Sequence, residues 1–282
     1  MHDLQQLFIE ACELDVAALK PGNVRHGHPA HGMTAQDFID SAHACAPELC
    51  KRGAGVGDRI LGAIRSTRRV VHCNTNLGIV LLAAPLCAAA QTAGAGGGEL
   101  RSALRAQLMR LGPVDAAQVY EAIRLARPGG MGTVDENDIR SEPRSGLVEA
   151  MSAAAERDSI ARQYANGFDD VFEWGMAHWR LGRQRYGDEA WTATAVFLAF
   201  LSRWPDSLIE RKFGTATAQA VSHRAERIQS QIPAYPAREG RLDDIRATLV
   251  QWDLELRAAG LNPGTSADLT VATAFAAKLM RA

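Results

Sequence analysis

The sequence predicts an all-α fold: a compact multi-helix single domain over residues 1–282, with a ligand site built from helix termini and inter-helix loops. Three observations carry the prediction. Apolar positions recur at three- and four-residue spacing, alanine is abundant, and β-branched residues rarely fall in alternation, a pattern of helices rather than strands. With 282 residues, 47% hydrophobic and 22% charged, the chain has ordinary globular proportions and can build a core without disulfide staples.

The first helix is marked by Leu4, Leu7, Phe8, Ala11, Leu14, Ala17 and Ala18 and stops at Pro21-Gly22, two residues that interrupt helices. A polar loop from Asn23 to Gly32 follows. Thr34 then reads as an N-cap with Asp37 in the first turn, so a second helix begins near Ala35. Further helical patterns run over 57–69, 76–91, 99–110, 115–126, 145–157, 159–182, 188–203, 206–212, 215–230, 241–259 and 266–280. Two linkers interrupt them, Thr92 to Gly98 and Ile232 to Gly240; the glycines of the first remove any strong backbone preference. No repeat and no strong domain boundary is visible.

Lys plus Arg number 31 against 32 Asp plus Glu, so no cationic excess exists to attract a nucleic-acid backbone. The polar start Met1-His2-Asp3-Leu4-Gln5-Gln6 lacks the basic and apolar regions of a secretory signal, and a cytoplasmic protein is expected. Cys12, Cys45, Cys50, Cys73 and Cys87 form an odd set without a CxxC pair, which predicts reduced thiols. The most apolar run, Leu77 to Ala90, is about 14 residues where a membrane span needs roughly 20. It reads as a buried core helix, within a monomer or between subunits, and a homodimer is the favoured assembly.

Six polar islands rich in Gly, Pro, Asn and Asp break the helical pattern: Lys20–Asn23, Asn74–Gly78, Arg127–Gly132, Arg162–Asn166, Pro205–Gly214 and Asn262–Asp268. Several stand at helix ends. Helix N-termini carry unpaired N–H groups and the positive end of the dipole, so Asn74-Thr75-Asn76 and Gly264-Thr265-Ser266 can each hold an anion such as a polyphosphate. Thr75, Ser266 and Asp268 are equally suited to capping those helices.

In order and wording, Lys20-Pro21-Gly22, Asn74-Thr75-Asn76-Leu77-Gly78 and Pro263-Gly264-Thr265-Ser266-Ala267-Asp268 resemble the KPG, NTxxG and PGGSAD-like motifs of the triphosphoribosyl-dephospho-CoA synthase family, and the likeness covers nearly the whole chain. The resemblance implies a transferase that takes ATP, breaks the bond between adenine and ribose, and joins the ribose C1 to the 2′-hydroxyl of 3′-dephospho-CoA.

That reaction needs cations on the triphosphate, a base for the hydroxyl and a means of holding or protonating the departing purine. On this reading Asp206, Asp268 and Lys20 are the catalytic candidates, with Asp206 or Asp268 as the base. Lys20, Gly22, Asn23, Asn74, Thr75, Asn76, Gly78, Arg162, Asn166, Ser207, Arg211, Lys212, Gly264, Thr265 and Ser266 are the nucleotide- and phosphate-binding candidates. Mg²⁺ is expected with ATP, held by Asp169, Asp206 and Asp268.

The tract from Arg157 to Asp170 would place Asp158, Arg162, Asn166 and Asp169 or Asp170 on one helix face. His26, His28 and His31 form an H-x-H-x-x-H run that could ligate a metal or line a solvated loop. Family members commonly read NTHKG where this chain has Asn74-Thr75-Asn76-Leu77-Gly78, and Gly129–Gly132 with Asp138–Arg140 replace a familiar middle stretch. Two other readings therefore stand beside the first. One is the same donor chemistry on an acceptor in one-carbon cofactor (tetrahydromethanopterin- or methanofuran-type) biosynthesis; the other is a non-catalytic helical nucleotide-binding protein.

Overall fold

The computed structural model describes residues 3–93, 97–127, 145–232 and 239–281, without the side chains of 97–98 and 239–241. Numbered in chain order, its helices are α1 (Leu4–Ala17), α2 (Ala35–Leu49), α3 (Val56–Val70), α4 (Leu77–Ala90), α5 (Gly97–Leu108), α6 (Pro113–Ala126), α7 (Leu147–Ala154), α8 (Ser159–Asn166), α9 (Met176–Tyr186), α10 (Glu189–Arg203), α11 (Ser207–Phe213), α12 (Thr215–Gln231), α13 (Glu239–Ala258) and α14 (Gly264–Leu279). A π-helical segment, Asp170–Gly175, joins α8 to α9. Among the described residues no strand forms, as the spacing predicts. Residues 94–96, 128–132, 138–140 and 233–238 of the sequence features above lie outside the described residues.

Two helices make the centre. Every residue of α4 from Leu77 to Ala89 is buried, which is how a helix that is apolar on all sides must sit in water. It packs against α2, α3, α5, α8 and α14. In turn, α14 is buried from Thr265 to Ala277 apart from Asp268 and packs against α1, α4, α9, α10 and α11. Alanines on both helices, among them Ala83, Ala84, Ala272 and Ala276, leave room for close approach. A second apolar cluster, centred on Phe197, Leu201, Ile209, Leu249 and Trp252, ties α10 to α11, α12 and α13. No helix among the described residues is long and apolar enough to cross a membrane.

Most predicted boundaries hold to within two residues, and Thr34 and Asp37 form the capping box that starts α2. The pattern expected over 159–182 is not one helix. Gly167 and Phe168 adopt φ of 70° and 64°, and the Asp169 N–H bonds Asn166 Oδ1 at 3.1 Å instead of continuing the ladder. Glycine takes the left-handed conformation without steric cost. Phe168 tolerates it because its ring is fully buried beside Tyr164, with centroids 5.8 Å apart. The helix expected over 145–157 is likewise shorter, closing at Ala154.

Pro85 lies inside α4 and has no N–H to give the Leu81 carbonyl four residues earlier. The Tyr164 hydroxyl of α8 donates to that carbonyl at 2.6 Å, so a gap in one helix's ladder becomes the pin for another. Losing it would strand a buried acceptor. Tyr164→Phe is expected to lower stability by about 1–3 kcal/mol and to cost markedly less in a Pro85→Ala background, where the new N–H can serve Leu81. Urea denaturation of the four-member cycle measures this; equal losses in both backgrounds would contradict the assignment.

Candidate active site

A cavity of about 820 Å³ opens where several helices begin. Its polar wall carries Asn74 and Gly78 at the start of α4, Asp158 at the start of α8, Glu210, Arg211 and Lys212 from α11, and Asn262, Thr265 and Asp268 around the start of α14. His31, Arg68, His72, Arg127 and Arg157 also reach it. The wall built by α6, α7 and the inner faces of α4 and α8 is mainly hydrocarbon and includes the Tyr120 ring of α6. The N-termini of α4, α8 and α14 thus bring three positive dipole ends to one space that also holds several cations, a setting for a polyphosphate.

The KPG island supports this wall from behind and does not line it. The Lys20 ammonium, 1% exposed, donates to Asp15 Oδ1 and to Asn23 Oδ1, the latter at 3.2 Å. Asn23 Nδ2 donates to Asn262 Oδ1 at 2.9 Å, and Asn262 reaches the cavity. Gly22 has φ 82°, and a Cβ there would lie 2.7 Å from the Leu261 carbonyl oxygen and 2.9 Å from Pro263 Cδ. Only glycine lets this loop seat the turn that starts α14. Its N–H bonds Asp253 Oδ1 at 2.8 Å, and Arg257 holds both Asp253 and the Asn23 carbonyl.

The second island divides between cavity and core. Asn74 lines the cavity, with Oδ1 accepting from the Leu77 N–H at 3.2 Å. Thr75 is buried against Ser41, with the hydroxyls 2.6 Å apart, and Asn76 Nδ2 donates to Thr67 Oγ1 at 2.9 Å. Gly78 faces Asp268 so closely that a Cβ would collide with Asp268 Oδ2 and lie 2.7 Å from Ile160 Cδ1.

Asp206 is committed elsewhere. Oδ1 accepts from the Leu208 and Ile209 N–H groups, and Oδ2 accepts from the Ser266 N–H and hydroxyl, at 2.8–3.2 Å. It is 2% exposed and serves as the N-cap of α11 and the clamp on α14. Ser207 donates to Thr265 at 3.1 Å and accepts from the Ser159 N–H at 3.3 Å, tying α8 to the same junction. A Cβ on Gly264 would lie 2.8 Å from Leu208 Cδ2, so that residue too is a packing point.

The tract from Arg162 of α8 to Asp170 lies apart from the cavity. Arg162 donates to Asp170 at 2.7 Å with its guanidinium over the Trp204 ring, and Asn166 caps the turn already described. Asp169 pairs with Arg101 and Arg105. Desolvation pushes its carboxyl up, but the two guanidiniums outweigh it and hold it below the usual range. Asp169, Asp206 and Asp268 therefore do not converge. Among the described residues no group of three or more His, Cys, Asp or Glu is arranged to hold a metal, and this includes the His26–His31 run.

Asp268 stands out electrostatically. Although it is partly open to the cavity, desolvation by the surrounding protein pushes its carboxyl well above the ordinary range, and the negative charges of Asp15, Asp206 and Asp158 add to this while Lys20 opposes it. Among the described residues no donor bonds it. Asp15, 3% exposed, is itself raised by burial, with Lys20 pulling the other way. The expected site omitted Asp15, Asp158 and Glu210. Asp15 could have been found, since it continues the buried face Phe8, Ala11, Cys12 of α1, where an acid needs a partner.

The chain matches the family model described as ATP:dephospho-CoA triphosphoribosyl transferase (CitG) over residues 1–282. Among solved structures it is similar to a protein from Archaeoglobus fulgidus provisionally described as a triphosphoribosyl-dephospho-CoA synthase, with 26% identity and a TM-score of 0.61 over 85% of this chain and 97% of that one. No curated protein matches the chain significantly.

Two outcomes follow from the Gly78 and Asp268 geometry. Gly78→Ala should displace the Asp268 carboxyl and lower turnover by about 10²-fold, at a stability cost of roughly 1–3 kcal/mol; unchanged turnover would contradict the close contact. A carboxyl raised on folding favours the folded state at low pH, and that contribution is lost as pH rises through its folded pKa. Asp268→Asn, neutral throughout, should therefore gain in urea midpoint over the wild type as pH rises from 4 to 8. A gap that shrinks over that range would contradict the assignment.

Proposed function

The chain belongs to the ATP:dephospho-CoA triphosphoribosyl transferase family, and from that premise we propose that Asp268 is the acid that protonates the departing adenine. The enzyme transfers the triphosphoribosyl group of ATP to dephospho-CoA. The whole-chain match favours that acceptor over a one-carbon cofactor precursor, and a transferase over a non-catalytic binder.

The observation that carries the assignment is the Asp268 carboxyl at the cavity wall, raised by burial and free of protein donors among the described residues. A carboxyl held neutral can give a proton to a ring nitrogen of adenine as the bond from that base to ribose C1 breaks. The oxygen of the acceptor 2′-hydroxyl then bonds C1, and its proton passes to Glu210, the cavity carboxylate whose committed oxygen accepts only from Thr215; Asp158 is taken up by capping α8 and by Arg211. The proton lost by the hydroxyl balances the one gained by adenine. Asp206 is unsuited to either step because both of its oxygens are already bonded within the protein.

Arg211 and Lys212, with the N-termini of α4 and α14, supply positive potential for the triphosphate. Mg²⁺ accompanying the triphosphate would be held mainly by phosphate oxygens, and Asp158 and Glu210 are the cavity carboxylates that could complete its shell. Bound there, the ion would offset charge on the triphosphate. Lys20 acts from below by positioning Asn23 and by tempering the charge at Asp268. Five free thiols, four of them buried, suit a reducing, cytoplasmic setting.

With ATP, Mg²⁺ and dephospho-CoA, the protein should release adenine and add one triphosphoribosyl group to the acceptor, both read by mass spectrometry. Asp268→Asn should slow this by about 10²–10⁴-fold, with much of the loss recovered on an ATP analogue whose base departs without protonation. An equal loss on both donors would overturn the acid role.

A further inference from the structure

Resting on the reading above, we propose that the hydrocarbon wall between α6 and α7 receives the pantetheine arm of dephospho-CoA and is what selects this acceptor over a bare adenine nucleotide. Leu81, Ile123, Leu147, Met151 and Ile160 line this part of the cavity together with Tyr120, which is 4% exposed. Small residues from α7, Ala150 and Ala154, keep it open. The charged and amide side chains of α11 and of the α13–α14 turn belong to the other wall.

Both substrates carry adenosine and phosphates, so only the shape of the remainder can tell them apart. The donor adenine must lie within reach of Asp268, because a hydrocarbon surface can neither protonate a leaving base nor satisfy its ring nitrogens. The acceptor's adenine is attached to the same ribose as the reacting 2′-hydroxyl, which keeps it near the polar wall as well. The arm begins beyond the acceptor's diphosphate and is the part farthest from the reacting oxygen. Its gem-dimethyl group and terminal ethylene thiol are the apolar pieces that a hydrocarbon wall desolvates at a gain. Arg157 and Arg68, which also reach the cavity, are suited to the intervening diphosphate.

The test compares dephospho-CoA with ADP, which keeps the adenine, the 2′-hydroxyl and the diphosphate but lacks the arm. For the wild type, kcat/KM should favour dephospho-CoA by about tenfold or more; equal values would overturn the proposal. Ala150→Phe fills the space, and Ala154→Leu is a milder second variant should the first fail to fold. Each should raise KM for dephospho-CoA about tenfold while moving KM for ATP by less than about twofold. A rise in KM for ATP instead would mean that the wall holds the donor adenine, and no change in either KM would mean that it holds neither; both results overturn the proposal. If the wild type transfers to neither acceptor, the transferase reading itself fails, a result distinct from these.

Discussion

A carboxyl oxygen of Asp268 occupies the space that a side chain on residue 78 would fill, and the geometry of the cavity follows from that close approach of α4 to α14. The two helices can meet so tightly because their facing surfaces are rich in alanine and because position 78 has no Cβ. Each neighbouring element is then fixed to one of the pair. Tyr164 pins α8 to the Leu81 carbonyl of α4. Asp206 joins α11 to the first turn of α14. The loop at Gly22 holds the turn that leads into α14. The cavity is what remains between these fixed ends.

The polar groups that do this are expensive to bury. Asp15, Lys20, Asp206 and Asp253 are each no more than 3% exposed, and buried ion pairs seldom add stability over apolar packing. What they fix is position and charge. Asp15, Asp206 and Asp268 share a neighbourhood with the single ammonium of Lys20, so the carboxyls outnumber the cation and the Asp268 carboxyl is pushed well above the ordinary range. The same imbalance that costs folding energy is what suits Asp268 to the acid role proposed for it.

The helices were legible because a 3.6-residue apolar period survives burial, and Thr34 with Asp37 was legible as a cap because the interaction is local. The break at Gly167 was half visible in the Asn166-Gly167 pair, but the positive φ of Phe168 depends on the pocket that takes its ring. Lys20 reads as a phosphate ligand in sequence because the turn that folds its ammonium back onto Asp15 and Asn23 is not written in the residue types alone. Asp206 reads as a base because its Ser266 partner lies 60 positions away. Arg162 and Asp169 were grouped with the site on a helical face that the chain does not continue. Asn74, Gly78, Thr265 and Asp268 do meet at the cavity, since helix starts recognised from capping residues are also where the fold converges, and Arg211 and Lys212 join them from the last turn of α11.

The central claim is that Asp268 carries a proton at neutral pH, and difference infrared spectroscopy of the wild type against Asp268→Asn reads this directly. A protonated-carboxyl stretch present near pH 7 in the wild type and absent from the variant is the predicted result. A difference spectrum holding only the two carboxylate bands would contradict it.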